Sequence, residues 1–284
     1  MYVYLNSRLV PDNAATVSVF DRGFAYGDSL IETMKILNGR PVFFNEHFQR
    51  LHSSIGEAGY DVTLDAEGLR NQALSLVELN DVSDGRLRIQ LSRGTPSAPA
   101  GIDITDELTP ALVLTAEPFP GYPEELYQEG ALCATVNANR GHYARLKTAS
   151  LFSTVLARLE TVKAGAWEAV FTGGHGSMLE GSFTNIFFHT GGRLLTAGEE
   201  QPILPGVTRG KVIEVAESAG INVSYEAPRI GELRSGEDAA YITSSLLGIC
   251  PVRQIDQKKL RMDWKLFKGL ADGLRELELI DIAG

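Results

Sequence analysis

The sequence has little of what a metal centre, a membrane span or a polyanion-binding surface requires. Cysteine occurs twice, as Cys133 and Cys250, far apart and at no ligand spacing, which excludes a zinc ribbon or a disulfide framework. Both are read as buried thiols in a reducing cytosol, so a cytoplasmic protein is expected. There are five histidines. His47 and His52 share one expected helix and the others are scattered, so no metal is expected. No apolar run approaches the roughly 18 residues that cross a bilayer. Met1-Tyr2-Val3-Tyr4-Leu5-Asn6 lacks the basic-then-apolar pattern of a signal peptide. Lys and Arg number 26 against 36 Asp and Glu, a formal net charge of −10. Neither a nucleic acid nor a membrane is therefore expected as partner.

Several catalytic signatures are also missing. There is no Gly-x-Ser-x-Gly, His-Glu-x-x-His or Cys-x-x-Cys. Gly206-Val207-Thr208-Arg209-Gly210-Lys211 resembles a P-loop, but it is one residue short between the glycines and Val212 stands where Ser or Thr is needed.

What is present describes a chain of 284 residues, 44% hydrophobic, long enough to bury a sizeable core. Tyr2 to Val10 alternates around Asn6-Ser7 as a hairpin. Asn38-Gly39 between Thr33–Leu37 and Pro41–Phe44 marks a second one. A helix follows, capped by Asn45, with Phe48, Leu51 and Ile55 as its apolar stripe and Gly59 beyond its end. The pattern predicts another helix from Asp65 to Asn80, with Leu69, Ala73, Leu76 and Val77 inward. Strands are predicted at Arg86–Ser92 and Ala111–Ala116. Pro118, Pro120, Gly121 and Pro123 mark a linker over 119–123, dividing the chain into domains 1–118 and 124–284. Beyond it, strands are predicted at Ala131–Val136, Ala169–Thr172, Ser177–Glu180, Asn185–His189, Leu194–Thr196, Ala239–Thr243 and Ile249–Ile255. Helices are predicted at Ser150–Ala164 and Thr208–Ala219, and in a last segment through Leu266, Leu270, Leu274 and Leu277. Strands and helices mix without strict alternation, which predicts an α+β fold.

The chemistry-bearing segments stand in a definite order. Asp21-Arg22-Gly23-Phe24-Ala25-Tyr26-Gly27-Asp28-Ser29-Leu30-Ile31-Glu32-Thr33 comes first, then Glu46-His47-Phe48-Gln49-Arg50-Leu51. Arg50 lies off the apolar stripe, free to face something other than the core. Later come Arg145-Leu146-Lys147-Thr148, Leu179-Glu180-Gly181-Ser182-Phe183-Thr184-Asn185, Ile203-Leu204-Pro205-Gly206-Val207-Thr208-Arg209 and Ile242-Thr243-Ser244-Ser245.

Together these runs resemble the class IV aminotransferases, the fold type IV enzymes that use pyridoxal 5′-phosphate (PLP). The resemblance implies two α/β domains of D-amino-acid-aminotransferase-like architecture, with PLP at the cleft between them, and a homodimer. Lys147 would carry the cofactor through its amine, whose pKa shifts readily beside another cation such as Arg145. Glu180 would pair with the pyridine nitrogen and favour its protonated form, the electron sink of the reaction. Arg50, Val207, Thr208, Ser244 and Ser245 would hold the phosphate, through a bidentate guanidinium, a helix N-terminus and hydroxyls. Leu204 would pack against the ring. Thr208 also fits a helix N-cap.

For substrate, strand 86–91 places Arg86, Arg88 and Gln90 on one face, and Arg88 is the leading carboxylate ligand. Ile31, Tyr26 and Leu246 are further pocket candidates, with Lys35, His142 and Arg140 behind them. D-amino-acid transaminases carry an Arg and a His after a Thr-Arg-Gly-Thr run, whereas Ser92-Arg93-Gly94-Thr95-Pro96-Ser97-Ala98-Pro99-Ala100 has neither. Ser244-Ser245-Leu246-Leu247-Gly248 looks like a run found in some aminodeoxychorismate lyases. The leading expectation is transfer of an amino group between an amino acid or amine and a 2-oxo acid. The alternatives are 4-amino-4-deoxychorismate lyase, which releases pyruvate and 4-aminobenzoate, and a non-catalytic relative that binds PLP or another phosphate-bearing ligand.

Overall fold

The computed structural model describes residues 1–6, 8–98, 101–104, 107–138 and 141–284. Ser7 of the expected first hairpin, Pro99 and Ala100 of the Thr95 run, and Arg140 lie outside the described residues. The chain divides by its contacts into two units. The first is Met1–Gly121 with Leu146–Leu151 and Asp281–Gly284; the second is Tyr122–Arg145 with Phe152–Ile280. Leu146–Leu151, which carries Lys147, thus counts with the N-terminal unit although it follows residues 119–123 in sequence.

The first unit contains β1 (Tyr2–Leu5), β2 (Arg8–Pro11), α1 (Arg22–Tyr26), β3 (Ser29–Leu37), β4 (Arg40–Pro41), α2 (Phe44–Glu57), α3 (Ala66–Leu79), β5 (Gly85–Ser92), β6 (Thr95–Pro96), β7 (Leu108–Thr109) and β8 (Leu112–Pro118). Six strands form an antiparallel sheet in the order β2-β1-β8-β5-β3-β4. Asn38 and Gly39 both take positive φ, +50° and +74°, the backbone that the two-residue turn demands. One face of the sheet buries Leu30, Met34, Ile36, Leu87, Ile89, Leu91, Leu114 and Ala116, with Leu51 and Ile55 of α2 and Leu69, Ala73, Leu76 and Val77 of α3 in the same core. The inward residues of α3 are those its periodicity predicted. Asp65 caps α3, accepting from the Glu67 and Gly68 amides.

The start of α2 departs from expectation. Asn45 lies inside the helix, and Phe43 is the N-cap residue, held at φ +55°. No side chain of its own segment caps the helix; instead Asp281 Oδ2, at the other end of the chain, accepts the Phe43 N–H at 2.5 Å. A carboxylate at a helix N-terminus is favourable to the helix dipole. His47 and Ser54 are buried on the inner face of α2 and Phe48 only half-buried, so the apolar stripe is rotated by a fraction of a turn from the predicted one.

The second unit holds α4 (Glu124–Glu129), β9 (Ala131–Val136), α5 (Phe152–Lys163), β10 (Glu168–Thr172), β11 (Met178–Gly181), β12 (Asn185–Thr190), β13 (Arg193–Thr196), α6 (Val207–Ser218), β14 (Asn222–Tyr225), β15 (Ala239–Ser244), β16 (Gly248–Ile255), β17 (Lys258–Lys259) and α7 (Trp264–Ala283), whose last residues count with the first unit. Its sheet runs β11-β10-β9-β16-β15-β12-β13-β14, and one further pair, Glu180↔Asn185, brings β11 back to β12. The strands from β11 to β12 therefore close on themselves, which removes two edges. Val170, Met178, Ile186, Phe188, Ala240, Ile242, Cys250 and Val252 fill one side as a common core. Both cysteines are buried free thiols, and burial pushes the Cys250 thiol up to about 12. Among the described residues no helix is long and apolar enough to cross a membrane.

Candidate active site

In the first unit the site is built along β3. Lys147–Ala149 covers the edge of β3 that β4 covers further along. The Ile31 N–H donates to Lys147 O at 2.8 Å, Ala149 N–H donates to Ser29 O at 2.8 Å, and Leu30 bridges Thr148. The backbone around Lys147 is thereby fixed by ladder hydrogen bonds, while its side chain is half-buried.

Beside it lies a buried ionic cluster. Glu32 of β3 is 1% exposed and accepts from Arg50 Nε at 2.8 Å and Arg50 Nη2 at 2.6 Å. His47 Nδ1 lies 2.7 Å from Glu32 Oε2. Burial acts to raise the Glu32 pKa, but the charge and hydrogen bonds of Arg50 overcome it and hold the group at about 2. An ionised carboxylate only accepts, so the His47 proton sits on Nδ1. Burial holds the His47 pKa below its ordinary value, against the pull of Glu32, and the charges of Arg50 and Lys147 add to the depression. Arg50 therefore turns one edge of its guanidinium on Glu32, a partner the sequence motif contains without indicating the contact.

On the opposite face of the same sheet, Arg88 is half-buried and sits across from Thr33 on β3 and Thr115 on β8. Arg86, Arg88 and Gln90 share this face as their alternation predicted. Arg86 is paired with Glu117 at 2.8 Å. Arg88 donates to Gln90 Oε1 at 3.3 Å and has no ion pair among the described residues. Burial and the nearby charge of Arg86 lower its pKa. A half-buried guanidinium with no direct ion pair among the described residues is chemically suited to a carboxylate. Ile31, across from Gln90, is buried, and Tyr26 on α1 is 49% exposed. The nearby segment is fixed by Arg22, which pairs with Asp28 at 2.9 Å and donates to the carbonyls of Gly101 and Ile102.

In the second unit, Glu180 is 2% exposed at the end of β11. Its Oε2 accepts the Leu204 N–H at 3.0 Å, and Asn185 Nδ2 donates to Leu204 O at 2.9 Å. The cross-strand pair Glu180–Asn185 thus holds both backbone groups of Leu204, three residues before the start of α6. Helix α6 begins with Gly206 as N-cap and no side-chain cap. Thr208, a candidate cap from sequence, instead lies one residue inside the helix and is buried. A Cβ on Gly206 would lie 2.0 Å from Asn185 Oδ1, so the residue is restricted to glycine. Arg209 pins the first turn from behind, donating to Ala197 O at 2.6 Å and Thr196 Oγ1 at 3.3 Å; its motif position gave no sign of this structural role.

Across from Asn185 on β15, Thr243 Oγ1 is buried without a hydrogen-bond partner among the described residues. Ser244, Ser245 and Leu246 follow, half-buried, at the turn into β16. Uncapped amides at Val207 and Thr208, an orphaned hydroxyl and two serines form a donor set suited to a dianionic phosphate. Taken unit by unit, the residue types fit what PLP requires: an amine at Lys147 and a guanidinium at Arg50 in the first unit, and a carboxylate at Glu180 beside the phosphate-type donor set in the second.

Comparison with known proteins gives a consistent result. The family description amino-transferase class IV matches residues 29–255. A D-alanine aminotransferase of Bacillus licheniformis is 32% identical over 257 residues, 90% of this chain and 89% of that protein. Among solved structures, the branched-chain aminotransferase of Thermoproteus uzoniensis superposes with a TM-score of 0.88 at 28% identity, covering 99% of this chain and 95% of the other. The 4-amino-4-deoxychorismate lyase of Pseudomonas aeruginosa gives 0.83 at 29% identity, covering 96% and 98%.

Proposed function

The chain belongs to the class IV aminotransferases, and from that premise we propose that it moves an amino group between an amino acid and a 2-oxo acid, with Lys147 as the catalytic residue. The observation that carries the reading is the backbone-anchored Lys147 beside the buried Glu32–His47–Arg50 cluster. PLP, when bound, supplies the electron sink that makes the proton on the substrate α-carbon removable. Lys147 Nζ holds the cofactor between turnovers and, once displaced by substrate, takes that proton and delivers it for the opposite half of the reaction. Glu180, fixed by Leu204, keeps a negative charge at the ring nitrogen. Arg50, the Val207 and Thr208 amides, Ser244 and Ser245 bind phosphate, and Leu204 borders the ring. Arg88 binds the substrate carboxylate, with Ile31, Tyr26 and Leu246 shaping its surroundings.

An amino donor supplied alone distinguishes the reaction class. The enzyme should release about one equivalent of 2-oxo acid per site and then stop until a second 2-oxo acid is added. The likeness to a lyase structure and the run Ser244-Ser245-Leu246-Leu247-Gly248 support the second reading. If no donor gives that single equivalent, and aminodeoxychorismate yields pyruvate and 4-aminobenzoate, the lyase reading replaces the first.

Arg50→Ala should weaken PLP retention by about 1.5–3 kcal/mol, the worth of hydrogen bonds to a charged group. It should also cost about 3–5 kcal/mol of stability, because Glu32 is left buried without its cation. Titration of PLP into the folded variant checks the first effect, and an unchanged dissociation constant would remove Arg50 from the phosphate site.

The protein is a homodimer in this reading. Helix α5 buries Thr154, Ala157 and Thr161 and leaves Phe152, Val155, Leu156, Leu159 and Val162 at 45–76% exposure. Such a continuous apolar stripe suits burial against a second copy. Leu159→Glu should shift the protein to monomer in sedimentation velocity; an unshifted dimer would place the interface elsewhere. The two buried free thiols support a cytoplasmic location.

A further inference from the structure

Glu168, at the start of β10, is the most completely buried carboxylate among the described residues at 0% exposure, and the reaction gives it no role. Its oxygens collect donors from one tight turn. Ser182 Oγ donates at 2.5 Å, the Ser182 N–H at 3.2 Å, Thr184 Oγ1 at 3.0 Å and the Phe183 N–H at 3.5 Å. The Ala169 N–H adds a fifth at 2.7 Å, and Arg158 Nη1 of α5 lies 3.7 Å away. The turn itself is narrow: Gly181 N–H donates to Thr184 O at 2.7 Å. A Cβ on Gly181 would lie 2.0 Å from Thr184 Oγ1 and 2.9 Å from Glu168 Oε2. The turn is therefore moulded onto the carboxylate, and its two ends are Glu180 and Asn185, the pair that closes β11 onto β12 and holds Leu204.

We propose that Glu168 is the positioning residue for Glu180: by gathering the donors of residues 182–184 it fixes the register in which Glu180 meets the ring nitrogen of PLP. A carboxylate is required because every group aimed at it from the turn is placed to donate. An amide nitrogen in place of one oxygen would confront donors with a donor, and the turn would open at the end that carries Glu180. The inference rests on the proposed contact of Glu180 with the ring nitrogen.

The test compares equilibrium binding of PLP with that of an analogue in which carbon replaces the ring nitrogen. Wild type, Glu180→Gln, Glu168→Gln and the milder Ser182→Ala are measured, the last keeping the question open to experiment if Glu168→Gln does not fold. Wild type should prefer PLP, and Glu180→Gln should abolish the preference. Glu168→Gln should cut the preference by about tenfold, the equivalent of one pKa unit at the nitrogen. Ser182→Ala should cut it less and in the same direction, with little change in analogue binding for either. A merely structural Glu168 would weaken both ligands equally and leave the ratio unchanged, and that result overturns the inference. If Glu180→Gln itself leaves the preference intact, the ring-nitrogen assignment fails and the inference falls with it. If Glu180→Gln abolishes the preference while the other two variants keep it, the inference alone fails.

Discussion

Lys147→Ala is expected to lower kcat for amino transfer by about 10⁴-fold, the upper range for loss of a general acid–base group, while PLP still binds reversibly. Borohydride should fix the cofactor to the wild-type chain on the peptide containing Arg145-Leu146-Lys147-Thr148, and should fix nothing in the variant. The Lys147 carbonyl is tied to the Ile31 N–H and the Ala149 N–H to Ser29 O, so the lysine leaves a backbone held on both sides. Arg50 supplies a second positive charge to the surroundings that Lys147 shares with His47. A neutral amine is what both cofactor attachment and proton removal require. Alanine removes the only group in the proposed mechanism that handles the proton, yet it leaves the Glu32–Arg50 pair and the α6 N-terminus in place. Reductive trapping of PLP on a different lysine would sink the assignment, and near wild-type turnover would mean that another base does the work.

The sequence made some of this structure legible and left other parts dark, for identifiable reasons. Asn38-Gly39, Asp65 and the stripe of α3 were readable because each is a local signal: a turn, a cap and a period that need no distant partner. The start of α2 was not, because its N-terminal partner is Asp281, more than two hundred positions away. Asn45 looked like the cap, since a local rule can weigh only local candidates. Strand β14 was missed for the same reason: Asn222–Tyr225 has two polar residues in four, and pairs in parallel with β13 only after α6 has crossed back. Among the candidate site residues, ordered motifs singled out Lys147, Glu180 and Arg50, and alternation put Arg88 on one strand face with Arg86 and Gln90. The Arg50–Glu32 pairing and the grip of Arg209 on Thr196 and Ala197 are tertiary facts that no spacing encodes. Glu168 is the clearest case: in sequence it is one acidic residue beside Trp167, and nothing before the fold shows that five donors converge on it.

Glu180→Gln should keep PLP bound and slow turnover by about 10²–10³-fold, the usual cost of removing one preorganised electrostatic contact at a site of developing charge. The substitution is nearly isosteric, and a glutamine can still accept the Leu204 N–H that Glu180 Oε2 now accepts at 3.0 Å. The Leu204 loop and the α6 N-terminus should therefore keep their places, and phosphate binding with them. What disappears is the negative charge. In the proposed mechanism Glu180, at 2% exposure, would act with little solvent screening, so its charge would favour a protonated ring nitrogen. Each pKa unit lost there is worth about 1.4 kcal/mol. A neutral pyridine withdraws electrons from the substrate α-carbon poorly, so the proton that Lys147 must remove becomes less acidic. The loss should fall on kcat with little change in the dissociation constant of PLP. A substrate kinetic isotope effect at the α-proton should rise as proton removal becomes rate-limiting. Rapid turnover in the variant, with an unchanged isotope effect, would show that another acid protonates the nitrogen or that the electron sink is dispensable for this reaction.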